Sequence, residues 1–388
     1  MVPYILVSVG VSFLLSLLMT SLMRWIAPKI GLVDHPADRK VHLTTTPLGG
    51  GIAIFLAVII PLLAGLGVAA HLNQGETSGL ICDLIRVTRL EDLFRELSSG
   101  ILYRTTELSK ILASGFLLLI LGLVDDRIHL PWWSRLLAQF LIAAWLVGSG
   151  IGLTLFIPVP WVAMMVSMLW IVVLINAFNF LDNMDGLTAG IGLISASIFA
   201  ALMLSHPDEP RWLVAGLLLS LAGSLAGFLV HNWFPARIFM GDAGSTFIGL
   251  SLGAVTMLGT YHTSTSENRF VVLAPLCILA VPLYDFCSVI CIRLWEGRSP
   301  FQPDKKHFSH RLVALGLVQW QAVLVIYLAT LITGLAGILL FHSTSWFTAL
   351  TALLLTAGVL LLIAILELAA AHQARRISEA ASSNKADN

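Results

Sequence analysis

The chain has 388 residues and no net charge, with 57% hydrophobic and only 11% charged residues. A soluble domain carries about 25% charged residues. This composition therefore excludes an ordinary soluble protein and predicts an integral membrane protein, for which no nucleic-acid partner is expected.

Apolar runs without charge recur along the chain, and a membrane-spanning helix needs about 20 such residues. Two of the runs are long enough for two spans each, so the sequence predicts an all-α polytopic membrane protein with about eleven transmembrane helices. In chain order the runs are 1–23, 41–75, 108–124, 136–181 (two spans), 186–207, 212–236, 243–266, 270–292 and 312–366 (two spans).

The distribution of lysine and arginine predicts the orientation of these spans. Basic residues are concentrated in the connections that lie inside when the N-terminus is outside, and this bias sets topology. We therefore expect the N-terminus outside and the C-terminus in the cytoplasm. Residues 1–370 are expected to form one integral domain, followed by a disordered cytoplasmic tail, 371–388.

Two connections stand out in the first third of the chain. Residues 34–51, predicted inside, join basic residues to a glycine-rich start of the next span, which is a weak signal by itself. Residues 71–110, predicted outside, carry apolar side chains at helical spacing. This pattern fits an amphipathic helix on the outer surface, or equally a solvated loop that contains one short helix.

The third predicted span ends in two adjacent carboxylates, Asp125 and Asp126. Neighbouring carboxylates repel each other unless a cation or a substrate compensates their charge. Magnesium is the obvious compensator, although a solvated pair at a helix end is the alternative.

A second polar group follows the span that ends near residue 181. Asn179, Asp182 and Asp185 recur every three positions, so a helical turn would project them along one stripe. Amides and carboxylates of this kind suit recognition of a base and a ribose. A polar cap at the end of a span is the alternative.

The connection after residue 232 contains Asp242 between Gly241 and Gly244. Glycines let the backbone approach a phosphate closely. Because Mg²⁺ needs few protein carboxylates when water or phosphate oxygens complete its shell, Asp242 with a partner such as Asp125 would suffice.

Asp285 differs from these residues because it falls within an apolar run. A secondary transporter or lipid flippase would use such an intramembrane carboxylate, and a helix-packing hydrogen bond is the simpler interpretation. Nine other acidic residues, including those of the motifs above, lie in connections predicted to be inside, which favours catalysis at the membrane surface over transport.

The last inside connection before residue 312 is strongly basic. Such a cluster suits anionic phosphate oxygens, whereas an ordinary positive anchor at the membrane surface rarely contains paired histidines. Its basic residues are Lys305, Lys306, His307, His310 and Arg311.

From about residue 31 to residue 312, these segments in this order resemble the polyprenyl-phosphate N-acetylhexosamine-1-phosphate transferase family (glycosyltransferase family 4). The resemblance implies transfer of an N-acetylhexosamine 1-phosphate from a UDP-sugar to undecaprenyl phosphate, with release of UMP. It also implies a requirement for Mg²⁺, with Mn²⁺ as a substitute, and a homodimer among membrane lipids. The expected location is the bacterial inner (plasma) membrane, with the active site on the cytoplasmic face.

The resemblance also implies roles for individual residues. Asp125 and Asp126 match the paired catalytic aspartates, and Asp242 matches the magnesium ligand. The nucleotide and phosphate positions match Asn179, Asp182 and Asp185 near the nucleotide, Asn232 and Phe239 beside the uridine, Lys40 and His42 in the first basic loop, and His307 and His310 in the histidine loop.

Two departures from the family pattern bear on the sugar. His129 stands where the family has a third aspartate, and His307-Phe-Ser-His310 replaces a His-Ile-His-His sequence. The absence of three consecutive histidines favours the WecA- and TagO-like branch over the peptidoglycan branch, and hence UDP-N-acetylglucosamine as donor and the start of a cell-envelope polysaccharide such as a lipopolysaccharide. The alternatives are a phospho-N-acetylmuramoyl-pentapeptide transferase and, less directly, a transporter or flippase.

Overall fold

The computed structural model describes residues 2–35, 45–73, 105–153, 159–205, 210–258, 269–300 and 306–386, with side chains as far as residue 369. Within these ranges the backbone is almost entirely α-helical, apart from one short antiparallel hairpin of β1 (Val33–Asp34) and β2 (Thr46–Pro47). The helices are α1 (Val2–Ile26), α2 (Gly50–Asn73), α3 (Thr105–Ile128), α4 (Trp132–Gly148), α5 (Pro160–Leu181), α6 (Leu187–Leu204), α7 (Trp212–Asn232), α8 (Gly241–Leu258), α9 (Ala274–Ile278), α10 (Ala280–Trp295), α11 (Phe308–Ala314), α12 (Gln319–His342) and α13 (Trp346–Ala386).

The helices have the length and composition of membrane spans. Eight of the described helices are long and apolar enough to cross a bilayer, and the bent segment Phe270–Trp295 would make a ninth. The predicted all-α polytopic membrane fold is confirmed. Helices α4 and α8 coincide with the other two predicted spans, but α4 has only 17 residues and α8 begins with a polar turn. The count of eleven and the N-out, C-in orientation stay predictions.

The bent span is broken at Leu279, between α9 and α10. Pro282 has no amide hydrogen for the carbonyl of Ile278, and the two helices meet at an angle of 68°. Helix α10 packs against α5 and α12. It therefore lies beside the helix whose end carries Asn179.

Helix α8 is the central element of the site, and it packs against α2, α3 and α5. Its first turn touches neighbouring backbones at two glycines. A Cβ at Gly122 of α3 would lie 2.3 Å from the backbone nitrogen of Ala243, and one at Gly51 of α2 would lie 2.4 Å from that of Gly244. Small residues of this kind let membrane helices pack backbone to backbone, which brings the polar start of α8 against the end of α3.

Two predictions concern the connections and the tail. The amphipathic helix predicted within 71–110 falls mostly on residues 74–104, which lie outside the described part of the chain. At the C-terminus the backbone of α13 continues to Ala386, through residues for which the sequence predicts a disordered tail. This segment is rich in alanine with arginine and glutamate, which are strong helix formers.

Candidate active site

Two acidic side chains from different helices meet on one arginine. Asp125 lies in the last turn of α3, Arg135 in the first turns of α4 and Asp242 in the first turn of α8. Nη1 of Arg135 donates to Oδ2 of Asp125 at 2.7 Å and to Oδ2 of Asp242 at 3.0 Å. The backbone N–H of Leu130 donates to the other oxygen of Asp125 at 2.6 Å. Both carboxylates therefore accept hydrogen bonds from the same nitrogen of the Arg135 guanidinium.

Asp242 is also held from the side of α5. Nδ2 of Asn179, in the last turn of α5, donates to Oδ1 of Asp242 at 2.9 Å and approaches the hydroxyl of Ser245 at 3.1 Å. The predicted metal ligand is thus fixed in orientation by side chains from two other helices. The fold therefore brings Asp125, Asn179 and Asp242, from three separate motifs of the sequence, to one place.

The adjacent carboxylate of Asp126 has a different environment. Its Oδ1 accepts a hydrogen bond of 3.0 Å from the backbone N–H of Asp242, at the amino end of α8, where the helix dipole favours negative charge. Gly241 has φ +68°, and a Cβ there would lie 2.4 Å from Oδ2 of Asp126. The two neighbouring aspartates therefore point to separate partners, and Asp126 positions the helix start that carries Asp242.

The connections α5–α6 and α7–α8 are joined by hydrogen bonds. Oδ2 of Asp185 accepts from the N–H of Ala236 at 2.9 Å. Asn232 is buried, and its amide accepts from the N–H of Gly186 at 3.0 Å and donates to the carbonyl of Ile238 at 2.9 Å. Asn232, matched to the uridine site by resemblance, thus holds two loops together through both of its amide atoms.

Phe239 connects the same region to the hairpin. Its N–H donates to the carbonyl of Pro47 at 2.9 Å, and its carbonyl accepts from the N–H of Gly50 at 3.0 Å. The start of α2 is therefore attached to the loop that precedes Asp242. The half-buried Phe239 side chain stays a predicted uridine neighbour.

Asp182 lies in the α5–α6 connection, outside the helices. Burial raises the pKa of its carboxyl to about 8, and the negative charges of Asp126 and Asp185 act in the same direction. An aspartate with such a pKa is largely protonated at neutral pH and can donate a hydrogen bond. It would ionise more easily if a cation were bound nearby.

The histidine loop approaches the same end of the bundle. The hydroxyl of Ser309 donates to Oδ1 of Asn183 at 2.6 Å, and the ring of His307 lies edge-on to Phe180 at 5.7 Å. His310 lies near His307, with ring centroids 6.3 Å apart. His307 and the start of α11 are therefore in direct contact with the end of α5 and the α5–α6 connection.

Arg311 points elsewhere. Its Nη2 forms an ion pair of 2.8 Å with Glu367 of α13 and donates to the hydroxyl of Ser288 at 3.1 Å. The arginine thus binds helices α10 and α13 together, and a direct role at a substrate stays a prediction. Lys40, His42 and Lys305 lie outside the described residues.

A cleft opens between α3, α4 and α5 at the two carboxylates. One part is polar, and another is apolar, so the cleft suits a ligand with a charged head and a hydrocarbon chain. Its lining residues are Leu121, Gly122, Asp125, Trp132, Arg135, Leu136, Gln139, Asn176, Asn179, Phe180, Asp242 and Thr246.

The acidic residues present are suited to magnesium. The oxygens of Asp125 and Asp242 converge on one cationic atom, and the buried Oδ2 of Asp126 has no hydrogen-bond partner among the described residues. Within the same part of the chain, no group of three or more His, Cys, Asp or Glu residues is arranged as a metal cluster. This donor set fits a hard ion that keeps water or phosphate ligands, and it does not fit a closed structural site.

Arg135 and Asp285 are two polar residues whose contacts the sequence interpretation missed. From the sequence, Arg135 is only one of the basic residues in connections predicted to be inside. In the structure, the connection between α3 and α4 has three residues, so the start of α4 must lie beside Asp125. Asp285 is interpreted from the sequence as a transporter carboxylate or a packing residue, yet it bonds the histidine loop. No periodicity identifies either contact.

A polytopic helical bundle with a half-polar cleft, at which carboxylates and an arginine from separate helices meet, has the form expected of a membrane-embedded enzyme. Residues 108–260 match the family model described as glycosyl transferase family 4. The chain belongs to this family, as its motifs predict.

Relatives of the chain match it over most of its length. A protein of Bacillus subtilis named a probable undecaprenyl-phosphate N-acetylglucosaminyl 1-phosphate transferase is 35% identical, over 88% of this chain and 86% of its own. A decaprenyl-phosphate N-acetylglucosaminephosphotransferase of Mycobacterium tuberculosis is 31% identical, over 89% and 85%. An undecaprenyl-phosphate alpha-N-acetylglucosaminyl 1-phosphate transferase of Escherichia coli is 29% identical, over 85% and 82%.

Proposed function

We propose that the chain transfers N-acetylglucosamine 1-phosphate from UDP-N-acetylglucosamine to undecaprenyl phosphate and releases UMP. The activities for which the three relatives are named support the sugar phosphate and the polyprenyl phosphate. The reaction would take place at the cytoplasmic face of a bacterial plasma membrane and start a cell-envelope polysaccharide.

The observation that carries this proposal is the convergence of Asp125 and Asp242 on Arg135 at the mouth of a cleft with an apolar wall. Both substrates bring phosphates, and one of them also brings a hydrocarbon chain. A guanidinium binds phosphate oxygens through directed hydrogen bonds. Trp132, Leu136 and Leu121 give the polyprenyl chain an apolar surface beside that point.

Asp242 and Asp125 are the residues that would hold Mg²⁺, or Mn²⁺ in its place. When bound, the ion would supply neutralisation of the charge that develops on the donor diphosphate. Asn179 keeps Asp242 in place, and Asp126 keeps the start of α8 in place.

The remaining chemistry is positioning. A lipid phosphate is mostly a dianion near pH 7, so it scarcely needs a general base to attack the sugar-linked phosphorus. We infer a direct displacement in which Arg135 orients the phosphates, Asp125 and Asp242 would hold the ion, and the loop 182–186 holds the nucleotide. Orientation of two bound reactants can itself supply a large part of the rate enhancement.

UMP release in detergent tests the proposal. Purified chain with UDP-N-acetylglucosamine and undecaprenyl phosphate is expected to form UMP with Mg²⁺ and none with excess chelator. Asp242→Asn should abolish this activity, and wild-type turnover by that variant would remove Asp242 from the metal site. A transporter or flippase would release no UMP under either condition.

The sugar is tested by competition. UDP-N-acetylglucosamine should be consumed in preference to UDP-N-acetylmuramoyl-pentapeptide when both are present at equal concentration. Preference for the pentapeptide donor would establish the peptidoglycan type of reaction instead.

A further inference from the structure

Asp285 is a buried carboxylate inside a membrane helix that the proposed reaction does not use. It lies in α10, and only 1% of the residue is exposed. An acidic residue in such a position is costly unless each oxygen is hydrogen-bonded. Its partners therefore show what the position is for.

Both oxygens of Asp285 bond the start of the histidine loop. Oδ2 lies 2.9 Å from Nδ1 of His307, and Oδ1 accepts from the backbone N–H of Phe308 at 2.7 Å. The second bond satisfies an amide in the first turn of α11, which would otherwise lack a partner. Asp285 thus fixes the backbone and the ring at the same residue.

The ring of His307 has one nitrogen left. With Nδ1 donating to Asp285, Nε2 has no hydrogen-bond partner among the residues described here. The ring lies edge-on to Phe180, which lines the cleft. A carboxylate that accepts from one imidazole nitrogen sets the tautomer and the orientation of the ring, and so determines what the other nitrogen offers.

We propose that Asp285 is a positioning residue for His307: it holds Nδ1–H so that Nε2 faces the phosphate or sugar of the donor. This inference rests on the proposed function. Asp285 acts through the histidine and does not itself touch substrate. Asp285 is buried, so solvent does not compete for its contact with His307 as it does for a surface ion pair.

Glu367 provides a matched control. It is a second buried acidic residue near the same loop, 8% exposed, and it pairs with Arg311 and Tyr284. No hydrogen bond joins it to His307 in the described part of the chain. Glu367→Gln therefore removes a buried charge of similar kind without changing the partner of the histidine.

Nitrogen NMR of the full chain with ¹⁵N-labelled histidine tests the positioning directly. The signals of His307, assigned by their loss in His307→Gln, should show the tautomer with the proton on Nδ1. Asp285→Asn should change that tautomer, and Glu367→Gln should leave it unchanged. An identical His307 spectrum in Asp285→Asn would overturn the proposal.

A double-mutant cycle on kcat/KM for UMP release tests the consequence for catalysis. Asp285→Asn should lower kcat/KM about 10- to 100-fold, and His307→Ala by at least as much. Because Asp285 acts through His307, kcat/KM of the double variant Asp285→Asn and His307→Ala should lie within about threefold of that of His307→Ala alone. Glu367 does not act through His307, so the fold-losses in kcat/KM of Glu367→Gln and His307→Ala should multiply in their double variant. Multiplying effects of Asp285→Asn and His307→Ala would contradict the inference.

Two controls separate other causes. Thermal unfolding identifies a variant that fails to fold. Asp285→Glu keeps the carboxylate, so this variant should retain part of the activity and the tautomer with the proton on Nδ1. If the wild-type chain releases no UMP, the proposed function fails, while the NMR comparison still decides whether Asp285 sets the state of His307.

Discussion

Two acidic sites in this protein use the same kind of bond for different purposes. In the cleft, the side chains of Arg135 and Asp242 are 34% and 30% exposed, and that of Asp125 is 9% exposed. In the pair of His307 and Asp285, the exposed fractions are 8% and 1%. Ion pairs that solvent reaches contribute little to stability, so the pair of Arg135 and Asp242 can exchange partners for a ligand, whereas separating His307 from Asp285 would leave a buried charge. This difference in solvent access distinguishes the candidate binding site from the contact proposed to position the histidine.

The largest effect should follow from a change in the cleft. Asp125→Asn keeps the size of the side chain but removes a charge that faces Arg135, and we expect kcat to fall about 100- to 1,000-fold, as for loss of one well-placed electrostatic contact. The variant should still fold, because an asparagine oxygen can also accept from the N–H of Leu130; UMP release and thermal unfolding measure the two effects. A large loss of stability with retained turnover in the remaining folded protein would show that Asp125 is a structural residue.

Arg135 tests whether the cleft needs a directed donor or only a positive charge. Arg135→Gln should lower kcat/KM about 100-fold and Arg135→Lys about 10-fold, because an ammonium keeps the charge but not the planar fork that binds phosphate oxygens. Steady-state kinetics with both substrates varied would measure the difference. Equal losses in the two variants would leave no role for the geometry of the guanidinium.

Gly241 tests how tightly the start of α8 must fit Asp126. Gly241→Ala places a Cβ at φ +68° and 2.4 Å from the Asp126 carboxylate, so both strain and a clash are expected, with a loss of activity of about 10-fold as Asp242 shifts. Gly297→Ala is a matched control with the same φ of +68° and nothing within 4 Å of the added Cβ.

The control should show only the cost of the backbone conformation, about 1–2 kcal/mol. Thermal unfolding and UMP release of both variants measure the two contributions. Equal losses in Gly241→Ala and Gly297→Ala would mean that the close approach to Asp126 has no consequence of its own.

The sequence predicts the fold and the residues of the site better than it predicts their contacts. Apolar runs identify the helices because the bilayer imposes a length and a composition on each of them. The acidic motifs at helix ends identify Asp125 and Asp242, because charged residues stand out against such a background. The partners of Arg135 and Asp285 depend on how helices far apart in sequence pack, and local pattern does not contain that information.

The smallest effect concerns Asp182, whose pKa is raised from 3.8 to about 8 mainly by burial. The folded chain binds this proton more tightly than the unfolded chain, so the contribution of Asp182 to stability should be greatest at low pH and fall as pH rises between about 4 and about 8. Asp182→Asn removes this titration and should flatten the dependence of the unfolding temperature on pH between about 6 and about 8. Scans of both proteins without Mg²⁺ measure the slope, and equal slopes would show that Asp182 is ionised throughout that interval. That result would contradict the protonated state that burial and the neighbouring charges of Asp126 and Asp185 predict for Asp182.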